Sequence, residues 1–141
     1  AIVLISILSV MATARLDINP FRTASFQQEL RSALRFAQKL AIASGCDVQV
    51  SVDAATDSYA LNMRNDVNTG VPASCLSAVS ATFDVPVRNP TGGNFARTAP
   101  TGIDITAGLT FVYNRRGVPS ATGAIVVSGQ TITVAGTGYV F

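Results

Sequence analysis

The sequence has no histidine, and only 13% of its 141 residues are charged. Without histidine the chain lacks the usual general base of enzymes, the Ser-His and Cys-His nucleophile pairs and the commonest zinc ligand. It also lacks a Gly-x-Ser-x-Gly sequence, and its Gly92-Gly93 pair is not followed by the lysine of a phosphate-binding loop. These absences argue against an enzyme and against a bound cofactor.

Charge of either sign is scarce and scattered. Lys39 is the single lysine, Glu29 is the single glutamate, and the formal net charge is +2. So small a positive excess gives no strong argument for a nucleic acid or an acidic lipid partner. Asp53 and Asp57 bracket a predicted turn, where aspartate commonly bonds its own backbone. A calcium site built from such loop carboxylates stays open as the less favoured alternative.

The two cysteines, Cys46 and Cys75, have no CxxC spacing, which makes a structural metal site unlikely. An apolar N-terminal segment indicates an oxidising compartment, where the two thiols could form a disulfide. Closing that loop would contribute on the order of 3 kcal/mol to stability. Two unpaired thiols are the alternative.

An uncharged N-terminal segment is the most prominent feature that the sequence does have. The first 14 residues, AIVLISILSVMATA, contain no charged side chain. A helix that is apolar on all sides is buried in protein or in lipid. The run is shorter than the ~20 residues that span a bilayer, so we expect further residues before Ala1; packing against protein is the alternative. The predicted packing residues are Ile2, Val3, Leu4, Ile5, Ile7, Leu8, Val10 and Met11.

A break at Asn19-Pro20 should separate this segment from an amphipathic helix that restarts at Ser25, which has capping-box spacing to Gln28. The helix should end at Gly45. The apolar stripe of this helix could bind a partner, but we expect the domain's own sheet to cover it. The stripe comprises Phe26, Leu30, Ala33, Leu34, Ala37, Leu40, Ala41 and Ser44.

Beyond Gly45 the apolar period changes to two, which predicts β-strands. The expected strands are 47–53, 58–64, an edge strand 82–88 containing Pro86, 109–114, 124–127, 131–134 and 137–141, with loops at 65–80 and 89–102. The pattern predicts an α+β fold, with a long N-terminal helix packed on an antiparallel sheet. We divide the chain into an apolar segment, 1–19, and a head domain, 20–141.

Arg115 and Arg116 are the only basic pair in adjacent positions. They could contact DNA phosphates from the tip of a hairpin. Without further basic or aromatic neighbours in sequence, a solvated turn is the favoured interpretation, and nucleic acid is not the expected partner.

Three stretches of the chain resemble a known family. The opening IVLISILSVMA is similar to the interior of a type IV pilin N-terminal helix. The stretch FQQELRSALRFAQKLAIASGCDVQVSV resembles the start of the GspH/FimT group of pseudopilins and minor pilins, and LTFVYNRRGVPSATGAIVVSGQTITVAGTGYVF resembles that group's closing sheet. In the short sequences RFAQ and TITV, the latter followed by TGY, the chain further resembles minor pilins of mannose-sensitive haemagglutinin pili.

The resemblance implies a structural subunit of a type IV pilus-like filament that serves cell adhesion, and as a minor pilin the subunit is expected to prime or cap assembly. Its partners would be other pilin subunits, the inner membrane before assembly and the assembly platform. The head would lie in the periplasm of a Gram-negative bacterium and later in the extracellular filament. A type II secretion pseudopilin, a major pilin and a DNA-uptake receptor pilin are the alternatives.

The chain departs from the family pattern at three places. The prepilin-peptidase site, a glycine followed by Phe-Thr-Leu-x-Glu, is not in the sequence and would lie about eight residues before Ala1. Ala14 stands where family members commonly have a kinking proline, and Pro20 is expected to take that role. The arginine-rich motif of DNA-binding members is missing, because Thr137-Gly138 is followed by Tyr139, Val140 and Phe141.

Overall fold

The computed structural model describes residues 3, 19–63, 83 and 85–141. Its elements are one long helix, α1 (Asn19–Ser44), and eight strands. The strands are β1 (Val48–Asp53), β2 (Ser58–Met63), β3 (Val85–Pro86), β4 (Ala96–Thr98), β5 (Ile105–Ala107), β6 (Leu109–Tyr113), β7 (Gly123–Val127) and β8 (Gln130–Val134).

Helix α1 runs without interruption for 26 residues, about 39 Å at 1.5 Å per residue. The predicted restart at Ser25 is therefore wrong: Pro20 lies in the first turn, and Ser25 lies inside the helix. Proline is tolerated there because the N–H that it lacks would have no partner within the helix. The predicted end is confirmed, since Gly45 follows the helix with a positive φ of 67°.

The larger sheet has the strand order β3-β2-β1-β6, and β4 also pairs with β2. All of its pairs are antiparallel, as predicted. The edge position of β3 is confirmed, and its Pro86 occupies a site where a missing backbone donor is tolerated. Strand β4 lies within the predicted loop 89–102 and is a correction to that prediction.

The second sheet has the order β5-β7-β8 and is also antiparallel. Ser128 and Gly129 join β7 to β8 with φ values of 46° and 81°. Two positive φ angles in a two-residue loop are the geometry of a tight hairpin turn, so the predicted strands 124–127 and 131–134 form a hairpin. Beyond β8, the predicted strand 137–141 is only a β-bridge between Val134 and Val140, flanked by two Thr133–Phe141 backbone hydrogen bonds.

The helix packs most closely on β1 and also contacts β2 and β6, so the head's own sheet covers the apolar stripe. Ala33 and Ala37 are fully buried, and their small side chains let the helix approach the sheet closely. Each of the longer strands places alternate side chains in the same core. The predicted α+β fold, a long helix on antiparallel sheet, is confirmed. Among the described residues, none of the helices combines the length and apolarity needed to cross a bilayer.

Candidate interaction surface of the head

One side of α1 is tied to the C-terminal part of the chain by side-chain donors. Gln27 donates from Nε2 to the carbonyl of Val127 at 3.2 Å, and Arg35 donates from Nη2 to that of Val140 at 3.2 Å. Gln38 Nε2 donates to the Gly117 carbonyl at 3.0 Å, with a longer 3.4 Å approach to the carbonyl of residue 137. Spacings of eight and three residues put the three side chains on one flank of the helix. The C-terminal third is therefore fixed against α1 by polar contacts as well as by its core residues.

The opposite flank of α1 carries Glu29. Its carboxylate accepts a hydrogen bond of 2.7 Å from the hydroxyl of Tyr59 on β2 and pairs with Arg97 on β4. Burial raises the pKa of Tyr59 to about 12, because ionisation would place a charge in a poorly hydrated site. The interaction connects the helix to a three-residue edge strand that has few contacts of its own.

The turn that contains Arg115 and Arg116 is organised by the side chain of Asn114. Its Oδ1 accepts the backbone N–H groups of Arg116 at 2.9 Å and Val118 at 3.1 Å, and Gly117 closes the turn with a φ of 76°. Both arginines are exposed. The hydrogen bonds of Asn114 therefore explain the backbone conformation of a solvated turn. The two guanidinium groups stay available to a partner.

Exposed apolar side chains are concentrated around that turn. Of the six large apolar side chains exposed among the described residues, Ile42, Val118, Tyr139 and Phe141 lie where α1, the turn and the C-terminal tail meet. A Cβ added at Gly117 would overlap the side chain of Ile42, and one at Gly138 would overlap the carbonyl oxygen of Gly117.

Basic side chains share this region. Arg35 and Lys39 are exposed on α1, one on each side of the buried Ala37 and the contact residue Gln38. We define the basic–apolar patch as the set Arg35, Lys39, Ile42, Arg115, Arg116, Val118, Tyr139 and Phe141. The sequence pattern indicates only the arginine pair, because the other members come together through the packing of three separate segments. The consecutive apolar residues Tyr139, Val140 and Phe141 were the available signal in the sequence.

Most of the other predicted site residues lie outside the described residues. Among the predicted packing residues, Val3 is helical and 70% exposed, and the remaining seven lie outside the described residues. Cys46, just after α1, is disulfide-bonded, and Cys75 lies outside the described residues, so their pairing stays a prediction.

Both turn carboxylates accept backbone N–H groups, but only Asp53 does so within its own turn, as predicted. Asp53 Oδ1 accepts the N–H of Ala55, and Asp57 Oδ1 accepts that of Ile105, both at 2.8 Å. In the part of the chain that the structure describes, no three carboxylate, cysteine or histidine side chains are grouped so as to hold a metal ion.

Two concavities lie elsewhere on the head. One, of about 250 Å³, is lined by Phe21, Arg22, Ser25, Phe26, Arg97 and Pro100. The other, of about 350 Å³, is a mainly apolar groove lined by Phe36, Leu40, Met63, Val85, Pro86, Val87 and Arg88. Neither brings a nucleophile together with a base, and the first uses Arg97, which is already paired with Glu29.

Solved structures share this arrangement of helix and sheets. The minor pseudopilin EpsH from the type II secretion system of Vibrio cholerae is 14% identical, with a TM-score of 0.61 over 85% of this chain and 94% of its own. The type IV minor pilin FimU of Pseudomonas aeruginosa is 11% identical, with a TM-score of 0.59 over 88% of this chain and 90% of its own. No protein-family model and no curated protein matches the sequence. At these identities the likeness is one of fold, and the head has the type IV pilin-like fold of these two minor subunits.

Proposed function

We propose that the protein is a structural, non-enzymatic subunit of a type IV pilus-like filament, present as a minor subunit that primes or caps assembly. The observation that carries the proposal is the shared fold, which extends over at least 85% of this chain and 90% of EpsH and FimU. Both are minor subunits by name, one of a secretion system and one of a pilus.

The uncharged segment before α1 supports the same function. In this proposal residues 1–19 belong to a longer apolar helix that is kept in the inner membrane, with the head, 20–141, in the periplasm. During assembly the apolar residues from Ile2 to Met11 leave lipid for a bundle of equivalent helices, where close packing replaces lipid contacts. The partners are then the neighbouring pilin subunits and the assembly platform, and the finished filament is extracellular.

The type II secretion pseudopilin is the second candidate, and the likeness to EpsH favours it. The words shared with minor pilins of mannose-sensitive haemagglutinin pili favour a pilus instead. The two functions differ in the filament that contains the protein. Quantitative mass spectrometry of filaments sheared from cells, compared with secretion-system filaments from the same cells, would assign the subunit to one assembly and give its abundance.

The N-terminal sequence and mass of the protein isolated from membranes test the proposal directly. A methylated phenylalanine that opens a segment with a glutamate a few residues on and continues into AIVLIS is the expected result. A cleaved secretory signal or a lipid-modified cysteine at the start would contradict the filament function.

A DNA-uptake receptor is the candidate from another class, and it would use Arg115 and Arg116. It predicts binding to duplex DNA that weakens steeply with salt, because neutralised phosphates release counterions. An unchanged electrophoretic mobility of DNA at low salt, or equal binding by an Arg115→Ala/Arg116→Ala variant, would rule it out.

A further inference from the structure

We propose that the basic–apolar patch docks an acidic surface of a different protein. The inference rests on the proposed function in one respect, since in a filament that protein is a neighbouring subunit of another kind. The patch is a feature of the side chains at one end of the head, whereas the filament function rests on the fold and the apolar segment.

The charge of the patch is one-sided. Arg35, Lys39, Arg115 and Arg116 are all exposed there. Asp47 precedes Val48, which pairs with Tyr113 just before the turn, and it already has a contact of its own. Among the described residues, no matching set of side-chain carboxylates accompanies these four cations, so the electrostatic complement of the surface is acidic.

The apolar members are held in place before any partner arrives. Val140 is only 1% exposed, and its burial directs the side chains on either side outward, so that Tyr139 is 61% and Phe141 is 56% exposed. Their rings stack at a centroid distance of 5.7 Å, and Arg35 fixes the carbonyl of Val140 between them. A preorganised aromatic pair beside arginine is typical of protein interfaces, because little conformational entropy is lost on docking.

A second copy of this chain is a poor complement, because its described carboxylates are mostly engaged. Glu29 binds Tyr59 and Arg97, Asp53 and Asp57 bind backbone amides, and Asp47 has its own contact. Asp104 is the exception. A protein with several free carboxylates around an apolar area fits better.

Nucleic acid and lipid surfaces fit less well than an acidic protein. The aliphatic side chain of Ile42 lies against Gly117, next to the arginine pair, and Val118 follows it in the turn. Phosphate recognition favours an uninterrupted row of cations, with aromatic rings free for bases. Here the two rings stack on each other, and aliphatic carbon adjoins the guanidinium groups.

Site-specific photocrosslinking of the full chain in cells tests the proposal. Tyr139 and, separately, Val118 are replaced by the photoreactive p-benzoylphenylalanine, and Phe21→p-benzoylphenylalanine on the first turn of α1 is the matched exposed control (73% exposed). We expect position 139 or 118 to crosslink to one protein that mass spectrometry identifies as a different, acidic subunit. We expect the Arg115→Glu/Arg116→Glu variant to lower that yield about tenfold, and Arg115→Lys/Arg116→Lys to retain most of it.

The other outcomes separate the docking proposal from the filament function. The docking proposal would be overturned by crosslinks to a second copy, to nucleic acid or to lipid, or by yields equal to those at Phe21. This holds even if the substituted chains are recovered in filaments. A charge-dependent crosslink to an acidic protein that is not part of any filament would support the docking chemistry and contradict the proposed function. Recovery of every variant at the wild-type level in membranes serves as the folding control.

Discussion

Substitution of Gly138 should be far more damaging than substitution of Gly129, although both glycines have a left-handed backbone. Their φ angles are 83° and 81°. A Cβ at Gly129 would meet no atom within 4 Å, whereas one at Gly138 would overlap the carbonyl oxygen of Gly117 and the side-chain amide of Gln38. The pair therefore separates the cost of backbone conformation from the cost of steric overlap.

The two costs can be estimated from the contacts. A left-handed alanine costs about 1–2 kcal/mol, and this is the whole effect expected for Gly129→Ala. At Gly138 the overlapping groups must be displaced, which adds about 1–3 kcal/mol, because one of them, the Gly117 carbonyl, is backbone. Moving Gln38 away also breaks its 3.0 Å bond to the Gly117 carbonyl, worth about 1 kcal/mol. Gly138→Ala should thus cost about 3–6 kcal/mol.

Thermal unfolding of the full chain in detergent micelles, followed by circular dichroism, measures the difference. At this chain length about 2 kcal/mol of additional destabilisation lowers Tm by on the order of 10 °C, so Gly138→Ala should unfold well below Gly129→Ala. Carboxypeptidase should also remove the C-terminal tail faster from Gly138→Ala, because the Tyr113 hydroxyl loses its 3.3 Å bond to the carbonyl of residue 138. Equal Tm values for the two variants would refute the steric argument.

Three further predictions concern the flank of Glu29, the buried tyrosines and the cysteines. Glu29→Gln should keep an acceptor for Tyr59 but lose the pair with Arg97, lowering the free energy of unfolding by about 0.5–1 kcal/mol, since both side chains are partly exposed; urea unfolding should show no such loss in an Arg97→Ala background. Burial raises the pKa of Tyr59 and of Tyr113 to about 12, from 10. The two protonated tyrosines contribute fully to the free energy of unfolding below pH 10, and this contribution is lost as pH rises to about 12. Stability should therefore fall in that window by about 2 kcal/mol per tyrosine, and a Tyr59→Phe variant should lose only the part that is due to Tyr113. Alkylation without reductant, followed by mass spectrometry, should label neither cysteine, and two modified thiols would exclude the predicted bridge.

The strands that the sequence predicts correctly are the ones long enough to alternate. β1, β2, β6, β7 and β8 have five or six residues, and in each of them the buried side chains are spaced two residues apart, which produces a visible period of two. β4 has three exposed residues and no such pattern. Strand β4 is stabilised by pairing with β2 and by the contact of Arg97 with Glu29, 68 positions away in sequence. A local pattern cannot report a strand that is stabilised by a distant residue.

The same limit applies to the helix start and to the interaction surface. The helix was predicted to restart at Ser25, because sequence alone does not tell whether a proline lies in the first turn of a helix or before its start. The basic–apolar patch needs the register of three segments, and no single window contains more than three of its members. The apolar stripe from Phe26 to Ala41, by contrast, was predictable together with its cover, because a helix period of that length must be buried by something.

Folding of the tail and exposure of the patch are consequences of the same contacts. Gln38 reaches the turn at Gly117, and Arg35 reaches Val140, so α1 positions both the arginine pair and the aromatic pair from one flank. Burial of Val140 then decides which way Tyr139 and Phe141 point. A variant that detaches the tail should therefore lose docking and stability together, whereas charge reversal at Arg115 and Arg116 should lose docking alone. This difference separates a docking surface from a merely structural one.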